Sequence, residues 1–225
     1  MLSKPEAPLS AVSEAFSTSR DGAATGLMLA ELDALGRTGK PLLWVQDTRA
    51  AQEAGVPCIR GLAALNMPLL RVAARNAAEA LWAMEEGLEC TSLSAVVGEV
   101  WGSPKALDFT ATKRLSLRAR RSGVPLWLLR PDAQPDLSVA PKRWRVASAP
   151  SAGNVLDPRA PGKARWTAEL FRARGAKPGT WVASHDRAAH RLDLVAPVRH
   201  GTVGEGASPP NRRTPYAVGG GRAGA

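Results

Sequence analysis

Short apolar runs alternate with polar breaks marked by glycine and proline along the first two thirds of the chain, and the runs fall into two periods. Residues 9–16 predict a short strand, residues 17–22 a polar turn, and the following segment a helix with Met28, Leu32 and Leu35 on one stripe. Gly36 and Gly39 end that helix, and Pro41 leads into Leu42, Leu43, Trp44 and Val45, a run too short and too continuous for anything but a buried strand. Asp47 is placed to cap a brief helix ending at Gly55. Residues 69–73 predict the next strand, and Asn76 with Glu79 three positions on forms a cap for a helix whose Leu81, Met84 and Leu88 share a face. A strand over 94–100, a basic helix over 108–121 and a strand over 124–129 continue the alternation. Fully apolar strands separated by helices imply a parallel sheet covered on both faces.

The pattern changes after the proline-rich loop at 130–141. Trp144 and Val146 alternate with Arg143 and Arg145, and Trp166, Ala168 and Leu170 alternate with Arg165, Thr167 and Glu169, which predicts half-exposed antiparallel strands. A turn over 175–179 leads to a strand at 181–183, and Leu192 with Leu194 supplies one more. Residues 200–225 are rich in Gly, Pro, Ser and Arg with little to bury, and read as a disordered basic tail behind a core domain at 1–199. The expected class is α/β, with a mainly parallel central sheet flanked by helices and antiparallel strands towards the C-terminus.

Composition narrows the function classes. Two cysteines, Cys58 and Cys90, without a CxxC pair point to a reducing, cytoplasmic setting, and the absence of a long apolar run argues against a membrane span. Charge is the stronger clue. Residues 1–100 carry 8 basic and 12 acidic side chains, whereas 101–225 carry 22 and 8, a surplus that suits an anionic partner, either nucleic acid or an acidic protein. Within it, Arg114, Arg118 and Arg121 form a ridge on the basic helix with Lys113 on a neighbouring face, and Arg212 and Arg213 lie in the tail. These are candidate partner or DNA contacts; a solvated helix face is the other reading of the ridge, and on either its reversal to Glu is expected not to unfold the protein.

The turn after the first strand stands where an α/β protein places a phosphate loop, G-x4-G-K-[ST]. Here it reads Ser17-Thr-Ser-Arg-Asp-Gly22-Ala-Ala-Thr25. Ser17 replaces the first glycine, Gly22 is kept, and Ala23 or Ala24 occupies the lysine position. Either the loop is a nucleotide site that has lost its chemistry or it is an ordinary strand-to-helix turn. Glu99, at a strand's end, could stand where a magnesium-water ligand belongs, and Trp101 beside it is the tryptophan expected near such a cleft. His185 and His190 lack the companions for a metal site, and no G-x-S-x-G elbow is present.

Several longer stretches resemble the ImuA family of RecA- and SulA-related inducible mutagenesis proteins: Gly39-Lys-Pro-Leu-Leu-Trp-Val-Gln-Asp47, Ala95-Val-Val-Gly-Glu-Val-Trp-Gly102, Leu107-Asp-Phe-Thr-Ala-Thr-Lys-Arg-Leu115 and Trp166-Thr-Ala-Glu-Leu-Phe-Arg-Ala-Arg-Gly175. The likeness spans roughly residues 9–195. It implies a RecA-like core serving SOS-induced, error-prone translesion synthesis, with an ImuB-like Y-family polymerase homologue as partner and RecA, the error-prone polymerase subunit and DNA as further candidates. Against an active RecA-type ATPase, the lysine falls on Ala23 or Ala24 and the catalytic glutamate on Thr48, beside Asp47. The expectation is therefore a non-catalytic accessory without cofactor or metal. The alternatives are a DNA-stimulated RecA-type ATPase and a SulA-like inhibitor of cell division.

Overall fold

The computed structural model describes residues 12–34, 39–62 and 68–196, and within them one sheet of nine strands. Its strands are β1 (Val12–Ser17), β2 (Leu42–Asp47), β3 (Leu69–Ala74), β4 (Ala95–Glu99), β5 (Leu126–Pro131), β6 (Lys142–Ala149), β7 (Arg165–Ala173), β8 (Gly179–Asp186) and β9 (Arg191–Val195). They lie in the order β3-β2-β4-β5-β1-β6-β7-β8-β9. The helices are α1 (Ala23–Ala34), α2 (Thr48–Ala54), α3 (Ile59–Leu62), α4 (Ala77–Gly87) and α5 (Phe109–Ser122).

Every residue of β2, β4 and β5 is buried, because helices and loops cover both sides of this part of the sheet. On one side, α4 and α5 pack Leu81, Met84, Ala111 and Leu115 onto Leu43, Val45, Val96 and Leu128. On the other, α1 sets Leu27, Met28 and Leu32 against Trp44, Val97, Trp127 and Trp144. Capping follows the sequence closely: Asp47, Asn76 and Asp108 accept from Ala50, Glu79 and Ala111 at the starts of α2, α4 and α5. Gly123 closes α5 in the left-handed conformation, φ 76°, which costs a glycine nothing. The predicted residues Leu9 and Leu35 and the tail at 200–225, with Arg212 and Arg213, lie outside the described residues.

Two expectations change at β6. This strand is antiparallel to β7 but parallel to β1, with Ser13 beside Lys142 and Phe16 beside Arg145. The connection from β5, only residues 132–141, crosses β1 on the α5 side without a helix. A parallel crossover ordinarily carries a helix, and here the segment adds only Ala140 to the apolar core beside a polar network. Glu14 of β1, with 0% of its surface exposed, accepts from Ser138 Oγ at 2.7 Å and from Arg143 Nε at 2.6 Å. Arg143 is consequently buried rather than solvent-facing, as its alternation with Trp144 had suggested, and its guanidinium sits 5.2 Å and 5.3 Å from the ring centres of Phe16 and Phe171. Arg130, also buried, donates to the Gly102 carbonyl, and Asp136 lies 3.7 Å and 3.8 Å from the two guanidinium groups.

Candidate functional site

At the carboxyl edge of the sheet, β1 sends its chain to α1 on one face while β5 sends its chain across the other, the kind of divide where open α/β sheets bind ligands. The predicted degenerate loop, from Ser17 through Gly22 to Ala23, Ala24 and Thr25, is there, with Ala23 and Ala24 buried in the first turn of α1. Two of its backbone donors have side-chain acceptors from within the chain. Asp21 Oδ1 takes the Ala23 N–H at 2.9 Å, and Asp132 Oδ1 takes the Ser19 N–H at 3.0 Å. Ser148 fastens Asp21 from β6 with its amide at 2.8 Å and its hydroxyl at 2.6 Å.

Partial burial opposes ionisation of Asp21, but these donors outweigh it and hold its carboxyl below the usual range. Hydrogen bonds from Ser19 do the same for Asp132. Asp132 adopts φ 53°, a left-handed conformation that Asp tolerates better than most residues and that its N–H bond to the Ser17 carbonyl maintains. One anionic carboxylate, that of Asp21, therefore sits at the first amide of α1, and a second, that of Asp132, sits on the loop before it. The adjoining cleft, of about 490 Å³, is bordered by Phe16, Thr18, Asp132, Gln134, Arg145 and Glu169, and its cation Arg145 is paired with Glu169 at 3.0 Å.

Glu99 belongs to a different group of residues. Its Oε2 accepts from Trp44 Nε1 at 3.2 Å and Gln46 Nε2 at 3.0 Å, both on β2, and no hydrogen bond joins it to the loop among the described residues. Burial pushes its carboxyl up to about 7; the bonds from Trp44 and Gln46 oppose the rise, and nearby Asp47 adds to it. A carboxyl that favours its proton in the folded chain is most stabilising below its ordinary value of 4.5, and that stability is lost as pH climbs through about 7. Glu99→Gln keeps an acceptor for both donors. It is expected to flatten the fall in melting temperature between pH 5 and pH 8 and to stabilise the protein at pH 8 by about 1–2 kcal/mol. Urea titrations at the two pH values check this, and an unchanged pH dependence would remove Glu99 as its source.

Trp101 does reach this edge. Arg49 stacks 4.1 Å from its ring centre, and its buried indole N–H has no hydrogen-bond partner among the described residues. Asp47 serves as the α2 cap, accepting from Ala50 N–H at 2.6 Å, and the Thr48 hydroxyl donates to the Ala74 carbonyl at 3.1 Å.

The basic ridge on α5 is only partly a ridge. Arg114 Nε meets Glu85 Oε1 at 2.9 Å, and Arg118 meets Glu85 at 3.4 Å and Glu89 at 2.5 Å, so two of the three predicted contact residues bind α4 instead. Arg121 and Lys113 are exposed and have no acidic partner among the described residues. Sequence spacing along α5 could not show this, because the carboxylates arrive from another helix.

No family model matches the chain. The protein ImuA of Caulobacter vibrioides, from strains NA1000 and ATCC 19089 alike, is 35% identical over 164 residues, which cover 68% of this chain. The chain belongs to the ImuA family. The match covers 64% of the length of each of those relatives.

Two features of this ImuA-family chain escaped the sequence reading. Asp33, buried in the last turn of α1 where a carboxylate opposes the helix dipole, accepts from His185 Nε2 at 2.8 Å and His190 Nδ1 at 2.9 Å and so ties α1 to the β8–β9 hairpin. No group of side chains among the described residues is arranged to hold a metal ion. Trp82 is the second: it lies on α4 and is 66% exposed, whereas Trp44 and Trp127 are in the core. Among the described residues no helix is long and apolar enough to cross a membrane.

Proposed function

We propose that this ImuA-family protein is a non-catalytic, RecA-like accessory of the cytoplasmic, damage-induced mutagenesis system, acting by contact with an ImuB-like polymerase homologue. Family membership supports the pathway. The observation that carries the non-catalytic reading is the pair of carboxylates along the loop into α1, Asp132 on the Ser19 amide and Asp21 on the Ala23 amide, where phosphoryl transfer would need positive charge. Ala23 and Ala24 bring methyl groups to the lysine position, and Glu99 is engaged by Trp44 and Gln46. DNA, RecA and the error-prone polymerase subunit belong to the same proposed assembly, with Lys113 and Arg121 as exposed cations for such contacts.

Steady-state ATP turnover, with and without single-stranded DNA and the ImuB-like protein, is expected to match a no-enzyme control. Turnover above that control, abolished by Glu99→Gln, would promote the DNA-stimulated ATPase instead.

A further inference from the structure

The Glu85 and Glu89 bridges to Arg114 and Arg118 show that α4 and α5 lie side by side and run in the same direction. Between them is a groove of about 270 Å³ lined by buried Leu81 and by Ala78, Trp82, Ala106 and the paired Glu85 and Arg114. An indole 66% exposed beside a formed groove is an unusual place for a large apolar side chain in a folded domain. On the outer stripe of α5, Lys113, Leu117, Arg120 and Arg121 follow one another at i, i+4, i+7 and i+8, with Leu117 57% exposed. The three cations there have no acidic partner among the described residues, while the inner pair, Arg114 and Arg118, is neutralised.

We propose that this face docks an acidic amphipathic segment of a partner protein, seating an apolar side chain against Trp82 and carboxylates over Lys113, Arg120 and Arg121. The proposal deepens the accessory reading above by naming the surface and the chemistry it selects. Complementary charge would orient the segment and speed its encounter, and the groove would supply the anchor. A protein segment fits better than a nucleic acid because the anchor is apolar: Leu81 and Trp82 suit an aliphatic side chain, and an amphipathic segment can keep its carboxylates on the α5 flank, away from Glu86 on α4, as a uniformly charged phosphate backbone cannot.

The test uses the full chain and a synthetic amphipathic helical peptide with a leucine stripe flanked by glutamates, followed by fluorescence anisotropy. Binding is expected to weaken about tenfold or more in Trp82→Ala, and similarly in the Lys113→Glu, Arg120→Glu, Arg121→Glu triple variant, with steep salt dependence for the wild type. All four side chains are exposed, and Leu117→Glu offers an independent variant should either protein misfold. Failure of the wild type to bind, equal binding by the variants, or displacement of the peptide by oligo(dT) would overturn the proposal. Capture of the ImuB-like protein is scored separately. Peptide binding without capture keeps the docking face and sinks the accessory reading, and capture without peptide binding does the reverse.

Discussion

Glu14→Ala is expected to lower stability by about 3–5 kcal/mol, the usual cost of removing one partner from a buried ion pair. For a domain of this size that corresponds to a fall of about 10 °C in melting temperature. Glu14 has no exposed surface and accepts two short bonds, from Ser138 and Arg143, so its loss leaves the buried Arg143 guanidinium with only the more distant carboxylate of Asp136, at 3.8 Å. Replacing both charges, Glu14→Leu with Arg143→Met, should recover more than half of the loss, since an apolar pair of similar volume removes the desolvation cost along with the attraction. Chemical denaturation of the two single variants and the double variant decides the matter. Additive losses would mean that the pair is not coupled and that the crossover is held by something else.

Reversing Arg114 and Arg118 together is expected to cost about 3 kcal/mol, because Glu85 is largely buried and would then face two carboxylates instead of two guanidinium groups. Lys113→Glu and Arg121→Glu on the same helix should change stability by less than about 0.5 kcal/mol. The contrast separates the cations that build the α4–α5 layer from those that project from it. Spacing alone had placed Arg114, Arg118 and Arg121 in one exposed ridge whose reversal would leave the fold intact. The bridges to α4 replace that view, and equal, small effects at all positions in thermal melts would restore it.

The strands and helices of the parallel half are local matters and were legible in the chain. A run such as Leu42 to Val45 must be hidden on both faces, and Asp47, Asn76 and Asp108 satisfy helix amides a few residues ahead, so the physics that forms these elements acts within one or two turns. That alanine rather than lysine follows Gly22 was equally plain, since it depends only on which residues stand at 23 and 24. Placement in space was different. β6 joined the parallel set because the 132–141 segment crosses β1, a choice made by Glu14 meeting Ser138 and Arg143 across 124 and 129 residues of chain. Asp21 reaches the first amide of α1 and Asp132 the Ser19 amide before it, Glu99 turns to Trp44 and Gln46, and Arg118 turns to Glu85 and Glu89, through partners that no periodicity announces. Sequence by itself determined most of the elements, the Asp47 and Asn76 caps and the alanines after Gly22, because those rest on near-neighbour geometry. The tertiary structure alone decided which charges are spent inside the fold and which remain at its surface, because a buried charge takes whatever partner the packing brings within hydrogen-bond distance.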